Sequence, residues 1–278
     1  MVSGIVLIVE RFLAAAIQMN SSADRERNLA QAMDLIDEAA GRGARFVGLP
    51  ENVDLIAPHG VKVEAAEQLD GPTFALFRDK AREKRIWLLA GTIAEVSTVD
   101  GKARNTAVIY GPDGETVAIY RKIHLFDVEI QDGPTIRESD YVEGGSEVVV
   151  ASTPIARFGM SICYDLRFPE LYRRLASSGA DVLLVPSAFT SQTGKDHWEV
   201  LLRARAIENF AWVIAPAQTG QHIRGRSSHG HTMIIDPWGV IAAQCSEGPG
   251  FCIAEIDPAV MEHARKAIPA LDHRRLDV

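Results

Sequence analysis

The sequence predicts a single mixed α/β domain whose strands are covered by helices. Three observations predict it. Short apolar runs alternate along the chain with segments of helical spacing. Its 278 residues are ample for a sizeable core. No Pro/Gly/Ser linker tract and no internal repeat divides the chain. The expected domain is therefore residues 1–278, with residues 1–11 as an N-terminal extension.

Phe12 to Gln18 is a short apolar run bounded by polar residues and reads as a buried strand. Leu29, Met33, Ile36 and Ala40 follow at helical spacing, with acids near the start and Gly41 at the stop. Phe46 to Leu49 is a second strand, ended by Pro50. Thr73 to Lys84 reads as a helix and Ile86 to Ile93 as a strand. Ala107 to Tyr110 and Thr116 to Tyr120 flank Gly111-Pro112-Asp113-Gly114, a turn sequence, and form a hairpin. A polar loop spans about Asp127 to Glu147. Beyond it, strands are expected at Val148 to Ala151, Ile155 to Ile162, Val182 to Val185 and Ala211 to Ala215, with helices at Glu170 to Ser177 and Trp198 to Asn209. Thr232 to Ile235, Val240 to Gln244 and Phe251 to Ile256 are the last strands, and Pro258 to Lys266 a closing helix.

Composition narrows the function classes. Apolar residues at 47% and charged ones at 24% match ordinary globular proteins. The net charge of −8 comes without any basic block, which argues against a nucleic-acid partner. Val2 to Val9 is apolar, but Glu10 and Arg11 interrupt it well short of a membrane span, and no signal-peptide pattern is visible. The expected reading is an extra or extended first strand, with no membrane partner. Three cysteines, an odd number, do not make a disulfide framework, so the expected compartment is the cytoplasm.

Three polar residues sit where strands end, the usual place for catalytic groups in α/β sheets. Glu51 follows Val47-Gly48-Leu49-Pro50, and Pro50 ends the ladder because it lacks an N–H. Lys122 sits among aromatic and aliphatic neighbours after a hairpin strand. Cys163 stands where a strand runs into a sharp connection before a helix near Pro169, an elbow that exposes a nucleophile to backbone N–H donors. Singly, each has an ordinary reading: a solvated acid, a snorkelling lysine, an inert core thiol. Together they suggest a mechanism. A carboxylate whose pKa is raised by burial serves as base for the thiol, and a lysine stabilises a tetrahedral oxyanion. Glu138 is the available second acid. Spacing alone does not bring these residues together.

Leu49-Pro50-Glu51-Asn52, then Arg121-Lys122-Ile123-His124-Leu125-Phe126-Asp127, then Cys163-Tyr164-Asp165-Leu166-Arg167-Phe168-Pro169-Glu170 resemble, in order, the three catalytic signatures of the nitrilase superfamily of carbon-nitrogen hydrolases. Arg104-Asn105-Thr106, Pro186-Ser187-Ala188-Phe189, His197-Trp198-Glu199, Arg203 to Asn209 and Gly230 to Gly239 are also family-like. The resemblance implies an α-β-β-α sandwich that pairs with a second copy across a helical layer, as a dimer or tetramer. It implies a Glu51, Lys122, Cys163 triad with Glu138 as auxiliary glutamate, and no metal or organic cofactor. The N–H of Tyr164 joins Lys122 on the oxyanion. Asn105 and the Arg203 to Asn209 helix are read as mainly structural.

Within the superfamily, Asp127-Val128-Glu129-Ile130, Ser191 to Gly194 with His197-Trp198-Glu199-Val200, and Cys245 to Gly250 most resemble the Nit-type amidase branch. That implies a small α-keto amide as substrate: deaminated glutathione, or alternatively α-ketoglutaramate and related short dicarboxylic monoamides. Arg167 is then expected to clamp a substrate carboxylate, with Phe189 and Thr193 lining the same mouth. A local field of Lys122 and Arg167 would draw an anion into an acidic protein. Three rival readings remain: a papain-like pairing of Cys163 with His124 or His197, a two-thiol metal site at Cys245 and Cys252, and a scaffold that has lost its reaction. For Cys245 and Cys252, packing is the default expectation.

Overall fold

Period-two alternation in strands buried on both faces sets the layers. The structure, a computed structural model, describes residues 10–129 and 135–276; the first nine residues of the expected extension and Ile130 lie outside them. In chain order the first half comprises β1 (Phe12–Met19), α1 (Arg25–Gly41), β2 (Phe46–Gly48), α2 (His59–Glu64), α3 (Pro72–Lys84), β3 (Trp87–Val96), β4 (Ala103–Tyr110) and β5 (Thr116–Arg121). A small hairpin, β6 (Asp127–Glu129) and β7 (Thr135–Arg137), leads to β8 (Val150–Ser152), β9 (Arg157–Met160), α4 (Pro169–Ser177) and β10 (Val182–Leu184). The rest is α5 (Ser191–Asn209), β11 (Trp212–Ala215), β12 (Ala217–Ile223), β13 (Arg226–His229), β14 (Met233–Ile235), β15 (Ile241–Gln244), β16 (Gly250–Ile256) and α6 (Pro258–Ala267).

The strands form two large sheets. One runs β13-β12-β1-β2-β3-β4-β5, with β16 antiparallel beside β1; the other runs β15-β14-β11-β10-β9-β8. Ala14, Ala16, Phe46, Leu89 and Ile109 of the first sheet face Phe158, Met160, Val182, Leu184 and Ile214 of the second. The residues between them in sequence point outward. Ala15, Ile17, Val47 and Leu88 bury against α1 and α3 through Ala32, Ile36, Phe74 and Phe77. Leu183, Val213, Ala215 and Met233 bury against α4 and α5 through Leu171, Leu175, Trp198 and Leu202. The result is an α-β-β-α sandwich within one chain. Cys245 and Cys252 belong to the inter-sheet core, in keeping with packing roles.

Helix ends follow ordinary capping chemistry. The Asp24 carboxylate accepts from the Arg27 N–H at 3.1 Å at the start of α1, and Asp257 accepts from Ala259 N–H at 2.9 Å at α6. Some elements depart from the sequence expectation. Helix α5 starts at Ser191 rather than Trp198, because its first turns are polar and carry no apolar stripe. The expected polar loop after Lys122 contains the β6–β7 hairpin and a 3₁₀ turn, Glu138–Asp140. Helix α2 and strands β12 and β13 were not expected: the helix is six residues long, and the strands are rich in Gln, Gly, Ser and His. Among the described residues, no helix is long and apolar enough to cross a membrane.

The sheets are locked by a stack of Phe46 on Phe158, ring centroids 4.6 Å apart, both side chains fully buried. Phe158→Ala is expected to lower the unfolding free energy by about 3–5 kcal/mol, read from denaturant midpoints at unchanged slope.

Candidate active site

Three strand ends meet at one edge of the sandwich. Glu51 lies just past β2, Lys122 just past β5, and Cys163 past β9 with Ser161-Ile162 between. The Glu51 turn is held by a bulge in β3. Gly91, at φ +66°, brings that strand so near the Pro50 carbonyl that a Cβ would lie 2.2 Å from it. Thr92 N–H donates to Pro50 O at 3.3 Å, and its Oγ1 accepts from the Asn52 N–H at 2.9 Å. Asn52 sits at φ 56°, a left-handed conformation that asparagine tolerates better than most residues. From the other side, Gln218 Nε2 donates to the Glu51 carbonyl at 3.0 Å.

The nucleophile candidate occupies a strained elbow. Ile162 is extended, whereas Cys163 has φ 48°, at a cost on the order of 1 kcal/mol for a residue other than glycine. Asp165, fully buried, pins this turn and ties it to the lysine loop. Its carboxylate accepts from Ile162 N–H at 2.8 Å and Tyr120 O–H at 2.7 Å. It also accepts from His124 N–H at 3.0 Å and contacts the His124 ring Nδ1 at 2.7 Å. Arg205, from α5, donates to the Leu166 carbonyl at 2.8 and 3.1 Å and closes the far end of the turn. That is the bracing role expected of the Arg203 to Asn209 helix.

The convergence is tight. The Lys122 ammonium, 2% exposed, donates to Glu51 Oε1 at 3.1 Å and to Glu138 Oε2 at 2.8 Å. Ala188 N–H donates to Glu51 Oε2 at 2.9 Å, and Phe126 N–H to Glu138 Oε2 at 2.7 Å. The Cys163 thiol and the Glu51 carboxylate are close enough that each shifts the other's titration. Glu51, Lys122, Glu138, Cys163 and Tyr164 all face a cavity of about 430 Å³. Asn105 is more than structural. Its Nδ2 donates to Glu51 at 2.9 Å and lies 3.5 Å from Glu138, orienting both acids.

The protonation pattern corrects one expectation. Burial does act to raise the Glu51 carboxyl, but the Lys122 charge and the hydrogen bonds from Cys163 and Lys122 outweigh it and bring it down to about 2. Burial also works against the Lys122 charge, yet Glu138 and Glu51 hold that ammonium well above its ordinary value. Burial and the adjacent Glu51 charge push the Cys163 thiol well up. The resting triad is therefore a Glu51 carboxylate, a Lys122 ammonium and a neutral Cys163 thiol.

The other expected residues separate. Phe189 and Thr193 line the cavity. Arg167 does not. Its guanidinium lies 5.3 Å from the Phe189 ring and 3.3 Å from His197 Nδ1, outside the lining. The cations in the wall besides Lys122 are instead Lys62 of α2 and Arg226 of β13, on elements whose sequences carry no apolar pattern. Neither His124 nor His197 lines the cavity; His124 is held by Asp165 and stacked on Phe168 at 3.6 Å.

The sequence profile described as carbon-nitrogen hydrolase matches residues 13–266. A Synechocystis sp. protein named deaminated glutathione amidase is 49% identical over 266 residues, covering 95% of this chain and 98% of its own. The Mus musculus protein of the same name is 44% identical, covering 96% of this chain and 84% of its own. Among solved structures, Saccharomyces cerevisiae Nit3, described as a member of branch 10 of the nitrilase superfamily, superposes with a TM-score of 0.88. It is 31% identical, over 97% of this chain and 98% of that one.

Asp165→Ala strips the acceptor from the buried Ile162 N–H and Tyr120 O–H and the half-buried His124 N–H, and is expected to cost about 3–5 kcal/mol of stability. Iodoacetamide should also alkylate Cys163 at a rate changed from wild type under native conditions, since the elbow loses its anchor. An unchanged rate would assign Asp165 to stability alone.

Proposed function

The chain belongs to the carbon-nitrogen hydrolase family, and on that premise we propose that it is an amidase that hydrolyses deaminated glutathione through a Cys163 thioester. One observation carries the reading: a thiol sharing a cavity of about 430 Å³ with an ionised carboxylate that a buried ammonium holds at 3.1 Å. That volume is ordinary for a small-molecule site, roughly 300–1,000 Å³, and has room for a tripeptide-sized amide. Curated relatives of nearly full overlap carry the same activity in their names. The second reading, hydrolysis of α-ketoglutaramate and similar short monoamides, uses the same chemistry with a smaller leaving group.

In the proposed cycle Glu51 takes the thiol proton as Cys163 attacks the amide carbonyl. Lys122 and the Tyr164 N–H hold the oxyanion, with Glu138 and Asn105 fixing the lysine and the base. Glu51 passes the proton to the departing amine of cysteinylglycine, leaving the α-ketoglutaryl thioester. Water, deprotonated by Glu51, then attacks the thioester; α-ketoglutarate leaves and the thiol recovers its proton. Phe189 and Thr193 bound the substrate along the wall.

The proposal extends to a cytoplasmic homo-oligomer, dimer or tetramer. Supporting the pairing, Val200 and Ile207 on the outer face of α5 are exposed, as are Trp238 and Val240. Ile207 packs directly against Gly239 between the latter two. Supporting the compartment, Cys163, Cys245 and Cys252 are all free thiols.

Cys163→Ala should abolish turnover, and Glu51→Gln should lower kcat about 10²–10⁴-fold, whereas His124→Ala should still form the thioester. Single-turnover mass spectrometry of the intact protein with deaminated glutathione should trap an α-ketoglutaryl adduct on Cys163. Deaminated glutathione should give the higher kcat/KM of the two substrates. A much faster α-ketoglutaramate reaction would select the second reading, and no adduct with either would favour a catalytically silent scaffold.

A further inference from the structure

A half-buried cation is costly without an anion to face. Several such cations in this fold are paired with carboxylates: Arg25 with Asp54 at 2.7 Å, Arg104 with Glu143 at 2.8 Å and Arg121 with Glu95 at 2.6 Å. Lys62 and Arg226 are different. Both are half-buried in the cavity wall, and neither has a carboxylate within 4.0 Å among the described residues. The Lys62 ammonium donates to the Asn52 amide oxygen at 2.5 Å, a neutral partner that fixes its position without cancelling its charge. The Arg226 guanidinium has no hydrogen-bond acceptor among the described residues.

We propose that Lys62 and Arg226 form a carboxylate subsite in the cavity, built to hold one of the substrate's carboxylates beside the reacting amide. This rests on the amidase reading and deepens it by assigning the specificity-determining cations. The two come from distant parts of the chain, α2 and β13, and the fold sets their like charges near each other. An ammonium and a guanidinium together suit a carboxylate, which accepts from both at once. The clamp expected of Arg167 is thus assigned to two cations that do line the cavity.

Charge on Lys62 is set by its surroundings. Burial and Arg226 lower its pKa to about 8, against the pull of Glu138, Glu51 and Asp54; His59, one helical turn back on α2, also faces the pair. The sign follows directly. Lys62 is cationic below pH 8 and loses its charge above it, so carboxylate capture in the free protein weakens as pH rises through that value.

The test uses S-methylated deaminated glutathione, whose blocked thiol does not titrate, and the same compound with its glycine carboxylate converted to an amide. Lys62→Met and Arg226→Met should each raise KM for the S-methyl substrate about 10–100-fold, with a smaller change in kcat. Lys62→Arg should restore most of the KM and remove the fall of kcat/KM that wild type shows above pH 8. If the subsite holds the glycine carboxylate, the amide raises wild-type KM and cancels the effect of both Met substitutions. If it holds the α-keto carboxylate, the Met penalties persist on the amide. Either pattern supports the subsite. It is overturned if both Met variants keep wild-type KM, or if kcat and KM change equally alongside a lowered Tm. Should wild type turn over neither compound, the amidase reading fails separately, and calorimetry with α-ketoglutarate decides the subsite: wild-type binding lost in both Met variants sustains it, and binding unchanged in them or absent from wild type refutes it.

Discussion

The buried ammonium of Lys122, held between two buried carboxylates, is the interaction on which the site depends. Glu51 and Glu138 are 3% and 6% exposed, and burial alone would drive Glu51 toward its neutral form. A single positive charge, 3.1 Å from one and 2.8 Å from the other, keeps Glu51 ionised. The chain supports that charge arrangement with neutral donors. Asn105 bridges the two acids, while the N–H groups of Ala188 and Phe126 each hold one carboxylate oxygen. Removing the ammonium would leave two acids facing each other in a poorly solvated space.

This arrangement changes how the base is understood. A carboxylate with a pKa near 2 is a weak base toward a thiol whose own value is pushed up. Proton transfer in the resting site therefore runs uphill. In the proposed cycle the difficulty is met at the carbonyl: as the oxyanion forms, Lys122 turns part of its charge toward it, and Glu51 becomes correspondingly more basic. The same lysine restrains the base at rest and releases it during attack. Such coupling needs fixed distances, and Asp165 provides them by joining the thiol elbow of one sheet to the lysine loop of the other.

Much of this was legible in the sequence where local chemistry was strong. Short apolar runs located the core strands, Pro50 marked the end of β2, and the run into Cys163 identified the elbow. The motif resemblance supplied what spacing alone did not, the association of residues 51, 122, 138 and 163. What escaped was long-range. Asn105 sits inside a strand, and nothing local shows that its amide reaches two acids more than thirty positions away. Asp165 reads as one acid in a polar turn until Tyr120 and His124 are folded against it. Strands β12 and β13 lack alternation because they line the cavity and its support, where side chains must be polar; Arg226 was hidden with them. Lys62 lies on a six-residue helix too short for periodicity. Arg167 lies outside the lining, since adjacency to a nucleophile in sequence does not set a side chain's direction at a strained turn.

The acidic balance of the chain, −8, says little about the site, where three cations and two carboxylates line one cavity. The central claim is narrower: Lys122 keeps Glu51 ionised despite burial. Infrared titration of the carboxylates, taken as wild type minus Glu51→Gln, tests it most directly, with the same difference measured in a Lys122→Met background. The account predicts a Glu51 carboxylate band that persists from neutral pH down to at least pH 4 in wild type, and a titration shifted above the ordinary glutamate value without the lysine. A Glu51 carboxyl already protonated at neutral pH in wild type, or one indifferent to the loss of Lys122, would contradict it.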